Sequence, residues 1–118
     1  MSELTTRLAA YGVEIPEVLE RFVGDEEMYA DCLALFAKDK AFPELGYALD
    51  AGDYKTAFEK AHSLKGVSAN LGLQPLFEAV CSIVEPLRRE ETEGLKSLYD
   101  NVLAELDKVK ALLDGGEK

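Results

Sequence analysis

The residues best suited to chemistry in this chain are a histidine, a lysine and a glycine within about one helical turn of each other. His62 is the only histidine among the 118 residues, and Lys65 and Gly66 follow it at spacings of three and four. On an α-helix, residues three and four apart share one face. A neutral imidazole is a nucleophile near neutral pH, although a lone histidine is also often an ordinary surface or core-edge residue.

Gly66 bears on the choice between these two interpretations. A glycine in a helix interior costs about 1 kcal/mol relative to alanine. Gly66 lies far from both expected ends of its helix, so neither a cap nor a turn explains it. Its remaining use is to let another group approach the helix backbone closely. The alternative is a position at which the cost is simply tolerated.

Together the three residues suit the transfer of a phosphoryl group between proteins. His62 would accept the group, and Lys65 would offset part of its roughly two negative charges. Gly66 would leave room for the partner protein. Residues 51–90 carry five basic and five acidic residues, whereas residues 1–50 carry 4 and 11. The histidine thus lies in a stretch that is not acidic, a pattern that any solvated helix face could also show.

The elements that would hold these residues are helices. Apolar residues recur at helical spacing along the chain, and no alternating β-branched run indicates a strand. Asp53 can start the histidine helix, Gly72 can end it, and Thr92 can cap the last helix. Pro43 should kink or break one helix, and Pro86 should bend or end another.

The sequence therefore predicts an all-α protein, an antiparallel up-down four-helix bundle with short N-terminal helices capping one end. The short helices are expected within residues 3–23, at 3–11 and 16–23. The bundle helices are expected at about 26–51, 54–71, 75–89 and 92–113, followed by a tail at 114–118. The chain length suits one domain over residues 1–118.

Two stripes are expected on the histidine helix, one buried and one exposed. The buried stripe comprises Phe58, Ala61, Leu64, Ser68 and Leu71. The exposed stripe comprises Lys55, Glu59, His62, Gly66 and Ala69.

The composition argues against several partners. Thirteen Lys and Arg residues against 23 Asp and Glu residues give a net charge of −10. Such a surface repels nucleic acid and anionic membranes, so neither is an expected partner. No N-terminal secretory signal and no bilayer-length apolar run occurs, which leads us to expect a cytoplasmic protein.

The segment His62-Ser63-Leu64-Lys65-Gly66, followed by Leu71-Gly72, resembles the signature of histidine-containing phosphotransfer (HPt) domains of bacterial multistep phosphorelays. Residues 22–27 and 51–53 extend the likeness over most of residues 16–90, and the final helix is similar only in being amphipathic. The resemblance implies a four-helix bundle with an exposed histidine. His62 would be the phosphoacceptor at Nε2, Lys65 would stabilise the phosphoryl group, and Gly66 would admit a receiver domain.

By this resemblance the protein is a phosphocarrier without its own ATP site or kinase activity. Members of the family accept a phosphoryl group from a receiver aspartate, including that of a hybrid sensor histidine kinase, and pass it to another response-regulator receiver. No cofactor and no metal are expected, because the Mg²⁺ belongs to the receiver. Members of this size are commonly monomers, and the Met1 start favours a free-standing protein over an excised module.

A polar side chain on the next helix would orient the histidine in many family members. Glu78, Ser82, Glu85 and Arg89 form a polar row at helical spacing. The family's usual polar position favours Glu85 as the orienting residue. The adjacent Pro86 departs from the family pattern and could disturb this contact.

Two alternatives to a carrier are a docking adaptor of the same fold and an autonomous enzyme. A bundle of this fold could dock to a receiver without transferring phosphate, although such an adaptor would not need His62. An autonomous enzyme would need a phosphate-binding loop, a Ser/His/Asp set or a metal cluster, and the sequence shows none of them. The segment could also be the phosphoacceptor of an ATP-using kinase whose catalytic domain lies elsewhere.

Overall fold

A computed structural model of the protein describes residues 3–114, and within that range the regular structure is entirely α-helical. In chain order the helices are α1 (Glu3–Tyr11), α2 (Ile15–Arg21), α3 (Glu26–Ala37), α4 (Ala41–Ala51), α5 (Tyr54–Asn70), α6 (Gln74–Arg88) and α7 (Leu95–Leu113). The predicted all-α class is confirmed. Of the expected tail, residues 115–118 lie outside the described residues.

The hydrophobic core lies between these helices and takes side chains from each of them. The helix α5 packs most extensively against α6 and α4, and α7 packs against α6 and α3. Full burial of a large apolar side chain contributes about 1.5–3 kcal/mol. The largest fully buried side chains include Leu8, Val18, Tyr29, Leu33, Phe42, Leu45, Leu64, Leu76 and Ile83.

The expected bundle helix at 26–51 is two helices rather than one. The interruption lies at residues 38–40, before Pro43, where the Asp39 Oδ1 accepts a hydrogen bond from the Ala41 N–H at 2.8 Å. Pro43 falls in the first turn of α4, where a backbone N–H would have no intrahelical partner. The prediction of a break was therefore right, but its position at the proline was wrong.

The start of the last helix also differs from the prediction. The helix α7 begins at Leu95, and the residue before it, Gly94, has a left-handed φ of 77°. Thr92 is exposed in the preceding turn and does not cap the helix. Burial of Leu95, which is 3% exposed, fixes where the chain enters the core.

Pro86 falls in the last turn of α6, close to the expected end of that helix at residue 89. The helix continues through it to Arg88. Pro86 lies close to the C-terminal end, and its neighbours Val84 and Leu87 are buried against the core. Core packing of the last turn therefore outweighs the local cost of the proline. The earlier helix α2 is shorter than expected and ends at Arg21 rather than at residue 23.

No helix among residues 3–114 is long and apolar enough to cross a lipid bilayer.

Candidate functional site

The N-terminal end of α5 is fixed by a side-chain cap. The Asp53 Oδ1 accepts a hydrogen bond from the backbone N–H of Thr56 at 3.2 Å, which satisfies one of the free donors of the first turn. Hydrogen bonds from the side chain and backbone of Thr56 hold the pKa of the Asp53 carboxyl below its usual value. The predicted start of the histidine helix is confirmed.

The C-terminal end of α5 is held by α2 and α3. The Arg21 guanidinium donates to the Asn70 carbonyl at 2.8 Å, and the buried Tyr29 hydroxyl donates to the Leu71 carbonyl at 2.7 Å. Gly72 follows with a φ of +75°, and a Cβ there would lie 2.5 Å from Val18 Cγ2. The Leu71-Gly72 pair therefore ends the helix and allows α2 to pack closely against it.

One face of α5 is buried in the core, and it differs from the predicted stripe at one position. Ala57, Ala61, Leu64 and Ser68 are all 0% exposed. Phe58, which was expected in this stripe, is only half-buried. Ala57 is buried in its place, whereas the Phe58 ring packs partly buried against the core, with the Arg88 guanidinium of α6 over it.

His62 lies on the exposed face near the middle of α5. Its ring contacts that of Phe58, with centroids 5.6 Å apart and planes inclined at 36°. Within residues 3–114 the imidazole makes no hydrogen bond and no ion pair. It therefore stands at the protein surface with its nitrogen atoms uncommitted.

Lys65 and Gly66 lie within about one turn of His62. Lys65 is half-buried, and no carboxylate in the described part of the chain lies within ion-pair distance of it. The nearby Lys60, in contrast, is paired with Glu44 at 3.0 Å. Gly66 is exposed, and a Cβ placed on it would meet no atom within 4 Å outside its own helix. The arrangement offers an exposed nucleophile, a cation without a partner and an open approach.

Glu85, the predicted orienting residue, is not hydrogen-bonded to His62 in the described structure. Its Oε1 lies 3.6 Å from the Nε of Arg88. The Arg88 Cζ in turn lies 5.4 Å from the centroid of the Phe58 ring. The upstream polar residue Ser82 donates to the Glu78 carbonyl at 3.0 Å, within its own helix. The polar row on α6 therefore does not reach the imidazole directly.

Metal ligands are not clustered in this region or elsewhere among residues 3–114, where no group of three His, Cys, Asp or Glu side chains is placed to hold an ion.

A protein-family model described as an Hpt domain matches residues 17–112. The chain belongs to the Hpt domain family. The resemblance identified from the histidine motif is thereby confirmed, and the match extends into α7, where sequence inspection found only amphipathic character. Comparisons with curated proteins and with solved structures give no match.

Hpt domains are phosphocarriers rather than enzymes and act in two-component and phosphorelay signalling. They interact with response-regulator receivers and with kinases. An exposed imidazole on the surface of a helical protein is consistent with that activity, because a carrier must present the same atom to two different proteins.

Sequence reasoning missed the contact between Phe58 and His62. The spacing of four residues that makes the two rings neighbours on a helix was visible in the sequence. Because Phe58 also fitted the apolar period, it was assigned to the core. The Arg88 guanidinium lies over the Phe58 ring, and no pattern in the sequence indicated that contact.

Proposed function

We propose that His62 is the phosphoacceptor of this Hpt domain, and that the protein carries a phosphoryl group from the aspartate of one receiver domain to that of another. The observation that carries the proposal is the exposed imidazole of His62 in mid-helix. Beside it lie Lys65, which has no acidic partner among residues 3–114, and the open face at Gly66. Lys65 would stabilise the phosphoryl group, and Gly66 would admit the receiver.

The bonds that change in the proposed transfer are those between phosphorus and the His62 imidazole and between phosphorus and the aspartate carboxylates of the two receivers. A lone pair on the His62 Nε2 attacks the phosphorus of a receiver aspartyl phosphate. The new N–P bond forms as the P–O bond to the aspartate breaks, and the carboxylate leaves with the bonding electrons. The proton on Nδ1 stays on the ring. Delivery to the second receiver is the reverse of these steps.

The architecture proposed for this carrier is an up-down four-helix bundle in which α3 and α4 together form the first helix. The remaining three are α5, α6 and α7, and α1 and α2 cover one end. Packing of α5 against both α4 and α6, and of α7 against α6 and α3, supports this arrangement. The proposal treats residues 1–118 as one monomeric domain located in the cytoplasm.

The test of this function is transfer from a panel of receiver domains charged with labelled acetyl phosphate. The full chain is mixed with each receiver for seconds to minutes, and we expect label to move onto it from at least one, including the receiver of a hybrid sensor histidine kinase. The label should be labile in acid and stable in base. With labelled ATP and no other protein, the chain should remain unlabelled.

A His62→Gln variant is the matched control. It should keep the helical circular dichroism spectrum of the natural chain, because His62 lies outside the core, and it should take up no label. Acid-labile label on the variant would disprove the assignment of His62. Binding of a receiver by both proteins without transfer to either would instead establish a docking adaptor.

A further inference from the structure

We propose that Phe58 is a positioning residue for His62, and that Arg88 and Glu85 hold the Phe58 ring in place from the neighbouring helix. The effect of this arrangement on phosphoryl transfer rests on the function proposed above for His62. The arrangement itself is a property of the folded chain and can be measured without a partner.

The contact between Phe58 and His62 has the geometry of an attractive ring pair. The residues are four apart on α5, their centroids are 5.6 Å apart, and their planes are inclined at 36°. A phenyl ring has no hydrogen-bond donor or acceptor. It therefore restricts the position of the imidazole without forming a hydrogen bond to either imidazole nitrogen. A polar orienting side chain would form such a bond.

The Phe58 ring is itself held on its α6 side. The Arg88 Cζ lies 5.4 Å from the ring centroid, within the range of a cation–π interaction. The Arg88 Nε lies 3.6 Å from the Glu85 Oε1, one turn earlier on α6. The contacts thus run from Glu85 through Arg88 and Phe58 to the imidazole of His62.

This chain of contacts explains how His62 is oriented although no polar side chain in residues 3–114 is hydrogen-bonded to it. A helical side chain has two accessible χ1 rotamers, and an exposed histidine would sample both. Attraction to Phe58, the residue one turn toward the N-terminus, favours one of them. Glu85 then acts on His62 through two intermediate side chains rather than by direct contact.

The direct test is nuclear magnetic resonance of the full chain and of four variants, one of which is Arg88→Met. Phe58→Leu removes the ring and keeps an apolar side chain, and Phe58→Tyr keeps the ring. Phe22→Leu is the matched control, because Phe22 is also half-buried in a ring pair, 5.2 Å from Tyr29, but lies beside the far end of α5.

We expect the ring current of Phe58 to shift the imidazole protons of His62, and the couplings across χ1 to report one dominant rotamer. Both signatures should be lost in Phe58→Leu and kept in Phe58→Tyr and Phe22→Leu. Arg88→Met should weaken them in part. Imidazole shifts and couplings in Phe58→Leu that equal those of the natural chain would overturn the proposal.

The second test uses the receiver that labels the chain fastest in the panel described above. Phe58→Leu should lower the maximal transfer rate about two- to tenfold and leave the half-saturating receiver concentration unchanged. Phe58→Tyr should restore the rate. A raised half-saturating concentration with an unchanged maximal rate would show that Phe58 contacts the receiver instead, as part of the groove of about 560 Å³ that it lines with Tyr54 and Leu87.

The two proposals fail separately. If no receiver labels the natural chain, the proposed function is wrong, and the resonance measurements still decide whether Phe58 orients His62. If transfer to His62 occurs but neither the rotamer nor the maximal rate depends on Phe58, the positioning role alone is wrong.

Discussion

Two glycines among residues 3–114 lie in helix interiors, and their surroundings are opposite. At Gly46 in α4, a Cβ would lie 2.6 Å from the Oη of Tyr99 and 2.8 Å from its ring. The Tyr99 hydroxyl donates to the Phe42 carbonyl at 2.8 Å, which holds the side chain against α4. At Gly66 in α5, a Cβ would meet no atom within 4 Å outside its own helix.

The difference shows what a helical glycine can and cannot indicate. Each costs its helix about 1 kcal/mol relative to alanine. At Gly46 the close approach of α4 and α7 offsets that cost within the fold. At Gly66 no contact among residues 3–114 offsets it. A glycine in a helix thus supports a partner site only where the fold itself does not need it.

The strongest test of this comparison is Gly46→Ala. The added methyl group would overlap the Tyr99 ring, and overpacking of this kind costs about 1–3 kcal/mol of unfolding free energy. Urea unfolding followed by circular dichroism measures the loss. A variant as stable as the natural chain would show that the α4–α7 contact adjusts without cost, and the contrast with Gly66 would fail.

Gly66→Gln tests whether the open space beside Gly66 is needed for transfer. The longer side chain has room within the fold, so stability should not fall, whereas a receiver should be obstructed at close range. We expect transfer to slow about tenfold or more, because small displacements of reacting groups have large effects on rate. Unchanged single-turnover transfer would remove the steric role of Gly66.

Tyr29→Phe tests the contact that holds the C-terminal end of α5. Loss of the hydrogen bond to the Leu71 carbonyl should cost about 1 kcal/mol of unfolding free energy. Burial raises the pKa of Tyr29 from 10.0 to about 12, an effect that Arg21 partly opposes. The folded chain therefore holds this proton more tightly than the unfolded chain does, and the resulting stability is present below pH 10 and is lost as pH rises toward 12.

The measurement for Tyr29 is the free energy of unfolding at a series of alkaline pH values. Between about pH 10 and 12 the natural chain should lose more stability than Tyr29→Phe. Equal losses in the two proteins would mean that other groups dominate the alkaline transition.

Gly66→Ala should change the free energy of unfolding by less than Gly46→Ala does, and it should raise it rather than lower it. A methyl group there meets no neighbour in the described structure, so the gain in helix propensity of about 0.5–1 kcal/mol should appear in full as added stability. Differential scanning calorimetry of Gly66→Ala, Gly46→Ala and the natural chain measures the two changes in stability side by side. Destabilisation by both alanines would show that the two sites do not differ.

Lys65→Ala tests whether the positive charge of Lys65 acts on the phosphoryl group. Lys60→Ala is the matched control. Lys60 is paired with Glu44, whereas Lys65 has no acidic partner among residues 3–114. Loss of a half-buried cation beside the phosphoryl group should shorten the lifetime of phosphohistidine, or slow transfer, by about two- to fivefold. Equal lifetimes and rates for the two variants would show that Lys65 does not contact the phosphoryl group.

Helix content and the buried face of α5 were largely predictable from the sequence, whereas several boundaries were not. Asp53 and Gly72 mark the ends of α5 because their effects on the backbone are local. The break predicted at Pro43 was misplaced, because a proline within the first turn of a helix costs little. The position of that turn is decided by where α4 meets the core. Pro86 marked the end of α6 to within two residues, and core packing of Leu87 carries the helix past it to Arg88.

The amino-acid sequence by itself determined the helical class, the family and the row of His62, Lys65 and Gly66, because each depends on residue type and spacing along one helix. The tertiary structure decided which of the two interior glycines the fold requires, and it linked Glu85 to Arg88 and Phe58 rather than to the imidazole. The contacts of Gly46 with Tyr99 and of Phe58 with Arg88 join residues on different helices. Their side chains meet only where packing fixes the rotation and separation of those helices, which spacing along the chain does not specify.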